Sequence, residues 1–454
     1  MDEMDKLDQM DDLDEMDEMP AEHLRTITTE TESLTRSDEI AVGHLHTLVE
    51  EIESLAGDVN QLSLARHSLS STATRQKGEV DIDPLRIVAK EMDSLTDNIN
   101  QLLVSEHPSL NHAATYYTKA EGKRMRPMIV FLMSIATALC PKAPWTYDLT
   151  EKQINSSIAP IDVIKDGNPS TSLISNFSSP PDSAEPGPGV LPSQRRVAEI
   201  TELIHTASLL HDDVIDHSIS RRGSPSGNIE FGNKVAVLAG DFLLGRASVA
   251  LVRIRNAEVA ELFATVLANL VEGEFMQMKN TIDDEQVPQW SEAAFSYYIE
   301  KTYLKTASLI SKSCRAAALL SRASATIVSA AYAYGKYLGL AFQLVDDLLD
   351  YTRSNEELGK PAGADLELGL ATAPLLFAWE THPELGALIG RKFAQEGDVA
   401  RAREVVGQSD GVEKTRALAK EYCERAIAAL DTFPKSDAKD GLVKMAMMTL
   451  HRKK

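Results

Sequence analysis

The sequence predicts an all-α protein, and three observations carry the prediction. Alanine, leucine and glutamate dominate the second half of the chain, a composition that favours helix. Apolar residues recur at helical spacing from about Asp83 onward, as on helices with one buried face. Aromatic residues make up only 6% of the chain, and the evenly spaced turn signals of a β-sandwich are missing. With 454 residues and 43% hydrophobic content, the chain can hold one large helical domain plus extensions.

Taken in order, the first segment is "MDEMDKLDQMDDLDEMDEM", with Met or Leu at every third position. A period of three drifts around a helix of 3.6 residues per turn. Residues 1–22 hold eleven acids against one lysine, and such dense like charge opposes collapse. Residues 1–82 therefore read as an acidic, largely disordered leader, with one amphipathic helix in "AVGHLHTLVEEIESLAGDVNQLS". The helical domain, 83–454, opens with "DPLRIVAKEMDSLTDNINQLLVSEHPSL". A Ser-, Pro- and Gly-rich stretch at about 141–194 reads as a flexible surface insertion. Beyond it the spacing predicts helices near 195–217, 233–254, 257–280, 291–320, 324–351 and 371–380, then two or three more, and no strand.

The net charge of −22 argues against nucleic acid as a partner, since phosphate backbones are bound by basic faces. Cys140, Cys314 and Cys423 are odd in number and far apart, which indicates neither a disulfide framework nor a zinc site. The longest uninterrupted apolar run, "MIVFLMSIATALC", is shorter than the roughly 18 residues of a membrane span. A soluble or peripheral protein is expected.

Two segments carry the chemistry. "LLHDDVIDHSISRRG" places Asp212, Asp213 and Asp216 at the end of an apolar helical stretch, and "LGLAFQLVDDLLDYT" repeats the pattern with Asp346, Asp347 and Asp350. On a helix the first and third acids are i and i+4, so the carboxylates fan along one face. A single DDxxD in so acidic a chain would be an ordinary solvated turn. Two copies, each flanked by residues that call for burial, need a compensating cation, because burying unpaired charge costs several kcal/mol. Oxygen ligands alone favour a hard ion, and with phosphate that means Mg²⁺. Basic residues complete the balance: Lys123, Arg124 and Arg126 in "EGKRMRP", where Pro127 can open a helix; Arg221 and Arg222; Lys305 in "YLKTASL"; and Lys360 in "LGKPAGAD". Together they suggest one phosphate held through metal and another held directly by cations.

These ordered segments resemble the trans-isoprenyl diphosphate synthases over about residues 83–454. "GKRMRP", "LLHDDVIDHSISRRG", "LKTASL", "GLAFQLVDDLLDY" and "LGKPAGADLELGLATAP" carry the resemblance. Within the family, "DPLRIVAKEMDSLTDNINQLL" and the long insertion are most similar to the fungal hexaprenyl branch that serves ubiquinone synthesis. The resemblance implies an isoprenoid-synthase-type helical bundle around a deep central cavity, a homodimer, and isopentenyl and allylic (farnesyl or geranylgeranyl) diphosphates as substrates.

It further implies that Asp212, Asp213, Asp216, Asp346, Asp347 and Asp350 bind or orient about three Mg²⁺ ions. Arg221, Lys305 and Lys360 would hold the allylic diphosphate, with Gln343 beside the reacting centre. Lys123, Arg126, His205 and Arg222 would form the isopentenyl diphosphate site, and the tail "HRKK" would lie within reach of it. Small residues at Ala207 and Ser208, one turn before Asp212, would leave room for a product of about six isoprene units. Leu370 stands where many members have lysine, which removes one phosphate contact. A mitochondrial enzyme with peripheral membrane contact is implied, although the acidic leader is the opposite of an arginine-rich import helix. The alternatives are a geranylgeranyl diphosphate synthase, a non-catalytic partner subunit, which should have lost acids from one motif, and a terpene cyclase, which "GKRMRP" argues against.

Overall fold

Asp83 opens the fold by accepting a hydrogen bond from the Leu85 N–H at 3.1 Å, and Pro84 stands at a helix start, where no amide partner is needed. The computed structural model describes residues 82–119, 124–142, 189–221, 223–278, 288–352 and 363–452, all in one compact unit, Asp81–Lys454. The acidic leader up to residue 81, the amphipathic stretch at 41–63 and positions 143–188 of the insertion lie outside these residues.

Helices α1 (Pro84–Ile87), α2 (Ala89–Leu102) and α3 (Pro108–Lys119) lead to α4 (Met125–Ala138). Arg124 precedes α4 in a left-handed conformation, φ 43°, so the helix starts ahead of Pro127. The proline sits in the first turn instead of opening it, and there its missing N–H costs nothing. The next helix, α5 (Pro192–Ile215), begins before the expected position 195. Pro192 suits a first helical position, and the Gln194 side chain accepts from the Leu191 N–H at 2.9 Å.

A two-residue antiparallel ladder, β1 (Ser220–Arg221) with β2 (Ser224–Pro225), follows; the sequence pattern gave no sign of so short a strand pair. Then come α6 (Gly227–Phe231), α7 (Asn233–Arg253) and α8 (Ala257–Met278). The helix expected over 291–320 divides into α9 (Glu292–Thr302), a π-helical turn at Tyr303–Ala307, and α10 (Ser308–Leu320). A wider turn of this kind is a single local departure that apolar spacing does not reveal. Helix α11 (Ala325–Thr352) carries the second acidic motif. The chain ends with α12 (Ala364–Glu367), α13 (Ala373–Trp379), α14 (Leu385–Gly390), α15 (Asp398–Gln408), α16 (Gly411–Ala429) and α17 (Asp437–Leu450). Four helices follow α13 where two or three were expected, because six-residue α14 is too short to show a period.

The all-α expectation holds. The most extensive packing joins α11 to α16, α5 to α7 and α10 to α11. One core cluster gathers Leu95, Phe131, Leu203, Leu243, Phe263 and Tyr334 between the long helices. A second gathers Tyr298, Leu344, Leu376, Trp379, Leu385 and Val406 around the end of α11. Helix α7 is long and apolar enough to cross a membrane, with mean hydropathy 1.8. Here it packs along α5, burying Ala239, Leu243, Ala247 and Ala250.

Candidate active site

Both acidic motifs end long helices. Carboxylates there face the negative end of the helix dipole, which adds to the cost of gathering them. Asp216 is the residue after α5, and its N–H still bonds Asp212 O at 2.8 Å, so the i, i+4 spacing of the two acids is kept. Asp213, between them, is wholly buried: Tyr117 Oη donates to its Oδ2 and Arg221 Nε to its Oδ1 at 2.7 Å. In the second motif Asp347 is buried in the same way, accepting from Tyr298 Oη on Oδ2 and from Gln343 Nε2 on Oδ1 at 3.0 Å. Gln343 in turn accepts from Thr306 Oγ1 at 2.9 Å. Asp350 is buried, with the Asp365 N–H 3.4 Å from its Oδ2. Asp346 is half-exposed and lies 3.3 Å from Arg452 Nη1, whose guanidinium also covers the Phe342 ring at 4.1 Å.

A seam of charge joins the motifs. Lys305, on the π-helical turn, pairs with Glu274 of α8 at 2.5 Å. Gly273 makes this approach possible, since a Cβ there would fall 2.6 Å from Lys305 Cγ. Burial pushes the Asp212 carboxyl up to about 6; Lys305 opposes the shift, while Glu274 and Asp216 add to it. Burial likewise raises Asp216; Lys305 and Arg221 oppose the shift, while Glu274 and Asp213 add to it. Asp347 is raised by burial, against the pull of Tyr298, Gln343 and Lys301. Burial lowers Lys301, whose charge is felt by Asp347 and which senses Lys305, Asp365 and Glu274. The sequence reading missed Glu274, Lys301, Tyr117 and Tyr298. The i, i+4 spacing of Lys301 and Lys305 was the available signal for one of them.

Of the remaining predicted residues, Arg126 and His205 are brought together, Nη1 to Nε2, at 2.9 Å. Ala207 is fully buried in the first core, while Ser208 is half-buried and donates to His205 O at 2.9 Å. Arg124, which the sequence grouped with the phosphate-binding cations, instead donates to Thr96 Oγ1 and to Thr118 O. Lys123, Arg222 and Lys360 lie outside the described residues.

Among the described residues, no three His, Cys, Asp or Glu side chains are grouped tightly enough to hold a metal ion by themselves. The residues nevertheless fit Mg²⁺. The donors are carboxylate oxygens, burial and mutual repulsion disfavour the charge on Asp212 and Asp216, and Mg²⁺ ordinarily completes its shell with water and substrate phosphate.

A helical bundle with two aspartate motifs, bridged by half-buried lysines beside a large apolar core, is suited to ionising diphosphate esters. The polyprenyl synthetase family matches residues 183–406. The chain is 68% identical over 350 residues, 76% of each protein, to the "Probable hexaprenyl pyrophosphate synthase, mitochondrial" of Neurospora crassa. It is 49% identical over 345 residues to decaprenyl-diphosphate synthase subunit 1 of Schizosaccharomyces pombe, covering 76% of this chain and 85% of that one. Among solved structures, the polyprenyl synthase of Caulobacter crescentus CB15, complexed with calcium and isoprenyl diphosphate, superposes with a TM-score of 0.64 at 30% identity, over 84% of this chain and 100% of that one. The chain belongs to the polyprenyl synthetase family and is a prenyltransferase.

Proposed function

We propose that the protein is an all-trans-polyprenyl diphosphate synthase that adds isopentenyl diphosphate stepwise to an allylic diphosphate, making a hexaprenyl product for the ubiquinone side chain. The observation that carries the proposal is the pair of aspartate motifs, each with its second acid buried, linked through Lys305, Glu274 and Lys301. When bound, Mg²⁺ would neutralise the leaving diphosphate as its bond to carbon breaks; Asp212, Asp216, Asp346 and Asp350 are the residues that would hold it. Lys305 supplies positive charge to the same diphosphate. Arg126 and His205 offer a second anion subsite for isopentenyl diphosphate. Arg221 has its Nε on Asp213, so it orders the first motif as well as adding charge near it. The apolar residues that α5, α10 and α11 contribute to the first core would keep water from the allylic cation.

The 68% identity to a hexaprenyl synthase supports the product length, and the relative's name supports a mitochondrial location. A homodimer is supported by the apolar residues left on α7 and α8, among them Leu238, Val252, Val271, Phe275 and Met278, which a second copy would cover. The direct test is incubation with farnesyl diphosphate, labelled isopentenyl diphosphate and Mg²⁺, followed by chromatography of the product. A six-unit chain is expected. Absence of any elongated product sinks the proposal, and a four-unit product favours the geranylgeranyl alternative. Ser208→Phe, which would push an aromatic ring toward the Asp212 side of α5, should shorten the product.

A further inference from the structure

We infer that Tyr117 and Tyr298 are a matched pair of positioning residues, each fixing the second aspartate of one motif so that the acids on either side are aimed at the metal and diphosphate. The inference rests on the proposed prenyl diphosphate synthase activity. Neither tyrosine belongs to a motif, and they come from different helices, α3 and α9. Both are buried, at 3% and 1% exposure.

The two arrangements repeat atom for atom. A tyrosine phenol donates to Oδ2 of the second aspartate, and a side-chain nitrogen donates to Oδ1: Arg221 Nε for Asp213, Gln343 Nε2 for Asp347. With both oxygens bonded to protein donors, Asp213 and Asp347 cannot swing. The phenols are fixed as well. Tyr117 Oη accepts from the Gly227 N–H at 2.7 Å, and a Cβ on Gly227 would fall 2.8 Å from Leu210 Cδ2, so a larger residue there would displace that leucine methyl. Tyr298 is held in the second core cluster, with Lys301 Nζ 5.4 Å from its ring centroid. Helix ends fray unless tied down; here the tie lies inside the motif, and the neighbouring carboxylates inherit its orientation. Had the tyrosines served only to fill space, phenylalanine would do as well and the phenol oxygens would not converge on the same carboxylate atom in both motifs.

The test is Mg²⁺ binding measured by isothermal titration calorimetry in the presence of inorganic pyrophosphate, on the full chain and on Tyr117→Phe and Tyr298→Phe. Losing a hydrogen bond to a charged acceptor should weaken Mg²⁺ binding about tenfold or more in each variant. Tyr334→Phe is the control: Tyr334 is equally buried, and its hydroxyl donates to Leu442 O at 2.8 Å, away from both motifs. It should lower the melting temperature without moving the Mg²⁺ affinity. Should one phenylalanine variant fail to fold, the other decides. Unchanged affinity in a folded Tyr117 or Tyr298 variant, equal weakening by Tyr334→Phe, or a wild-type chain that binds no Mg²⁺ with pyrophosphate each overturns the inference. A wild-type chain that binds Mg²⁺ and pyrophosphate yet transfers no prenyl group defeats the proposed activity and leaves the positioning role standing.

Discussion

The two acidic motifs share a pattern of residues but differ in how their charge is balanced. The first lies at the very end of α5, where Asp212 and Asp216 face Lys305 and Glu274, and where Asp213 is bonded to a guanidinium. The second lies in the last turns of α11, which continues to Thr352; among the described residues its Asp347 accepts from the neutral groups Tyr298, Gln343 and, at 3.5 Å, the Ala373 N–H. The first motif thus has a guanidinium in contact with its buried acid, whereas the second has its contacting cation, Arg452, at the half-exposed Asp346 and feels Lys301 through space. Identical acids at identical spacing are given different electrostatic surroundings by the helices packed against them.

The largest expected effect should be common to both halves. Asp212→Ala and Asp346→Ala should each lower kcat by about a thousandfold or more, the scale for removing charge stabilisation from a transition state, with circular dichroism unchanged. Survival of activity in one of them would mean that one motif alone binds the diphosphate. Next comes the cation between the motifs. Lys305→Ala should reduce kcat/KM by about a hundredfold, and steady-state kinetics at saturating Mg²⁺ would show whether added metal makes up for it.

Titration should separate the halves further. Asp212 ionises near 3.8 when unfolded and about 6 when folded, so between these values the folded chain binds more protons. Without metal, stability should therefore fall as pH rises through that window. Because the ligand form is the carboxylate, Mg²⁺ should raise the melting temperature more at about pH 7 than at about pH 5. Thermal melts with and without metal test this, and a pH-independent gain would place the metal away from Asp212. The smallest effect belongs to Arg452→Ala: its pairing with Asp346 is half in solvent, so the stability change should stay below about 1 kcal/mol, read from denaturant melts.

Much of this site was legible in the chain. Paired DDxxD segments flanked by apolar residues required burial with compensation, so the six acids and the cations Lys305 and Arg126 were identifiable from residue type and spacing, whereas Gln343 and His205 came only through the family resemblance. What stayed hidden depended on tertiary approach. Glu274 becomes relevant only because Gly273 lets Lys305 lie against α8. Tyr117 lies just ahead of the basic segment "EGKRMRP", and nothing local indicates that it reaches Asp213 across 96 positions of sequence. Arg124 shows the reverse error: composition grouped it with phosphate ligands, while Thr96 and the Thr118 carbonyl take it for the fold.

The π-helical turn at Tyr303–Ala307 sets the angular phase of everything after it. Each residue advances a helix by about 100°, so deleting one position within the turn would restore a regular helix and rotate Lys305 relative to α10. A chain with every charged group intact could then lose its lysine from the seam. In this protein, the count of residues between Thr302 and Ser308 matters for activity as much as the identity of the lysine among them.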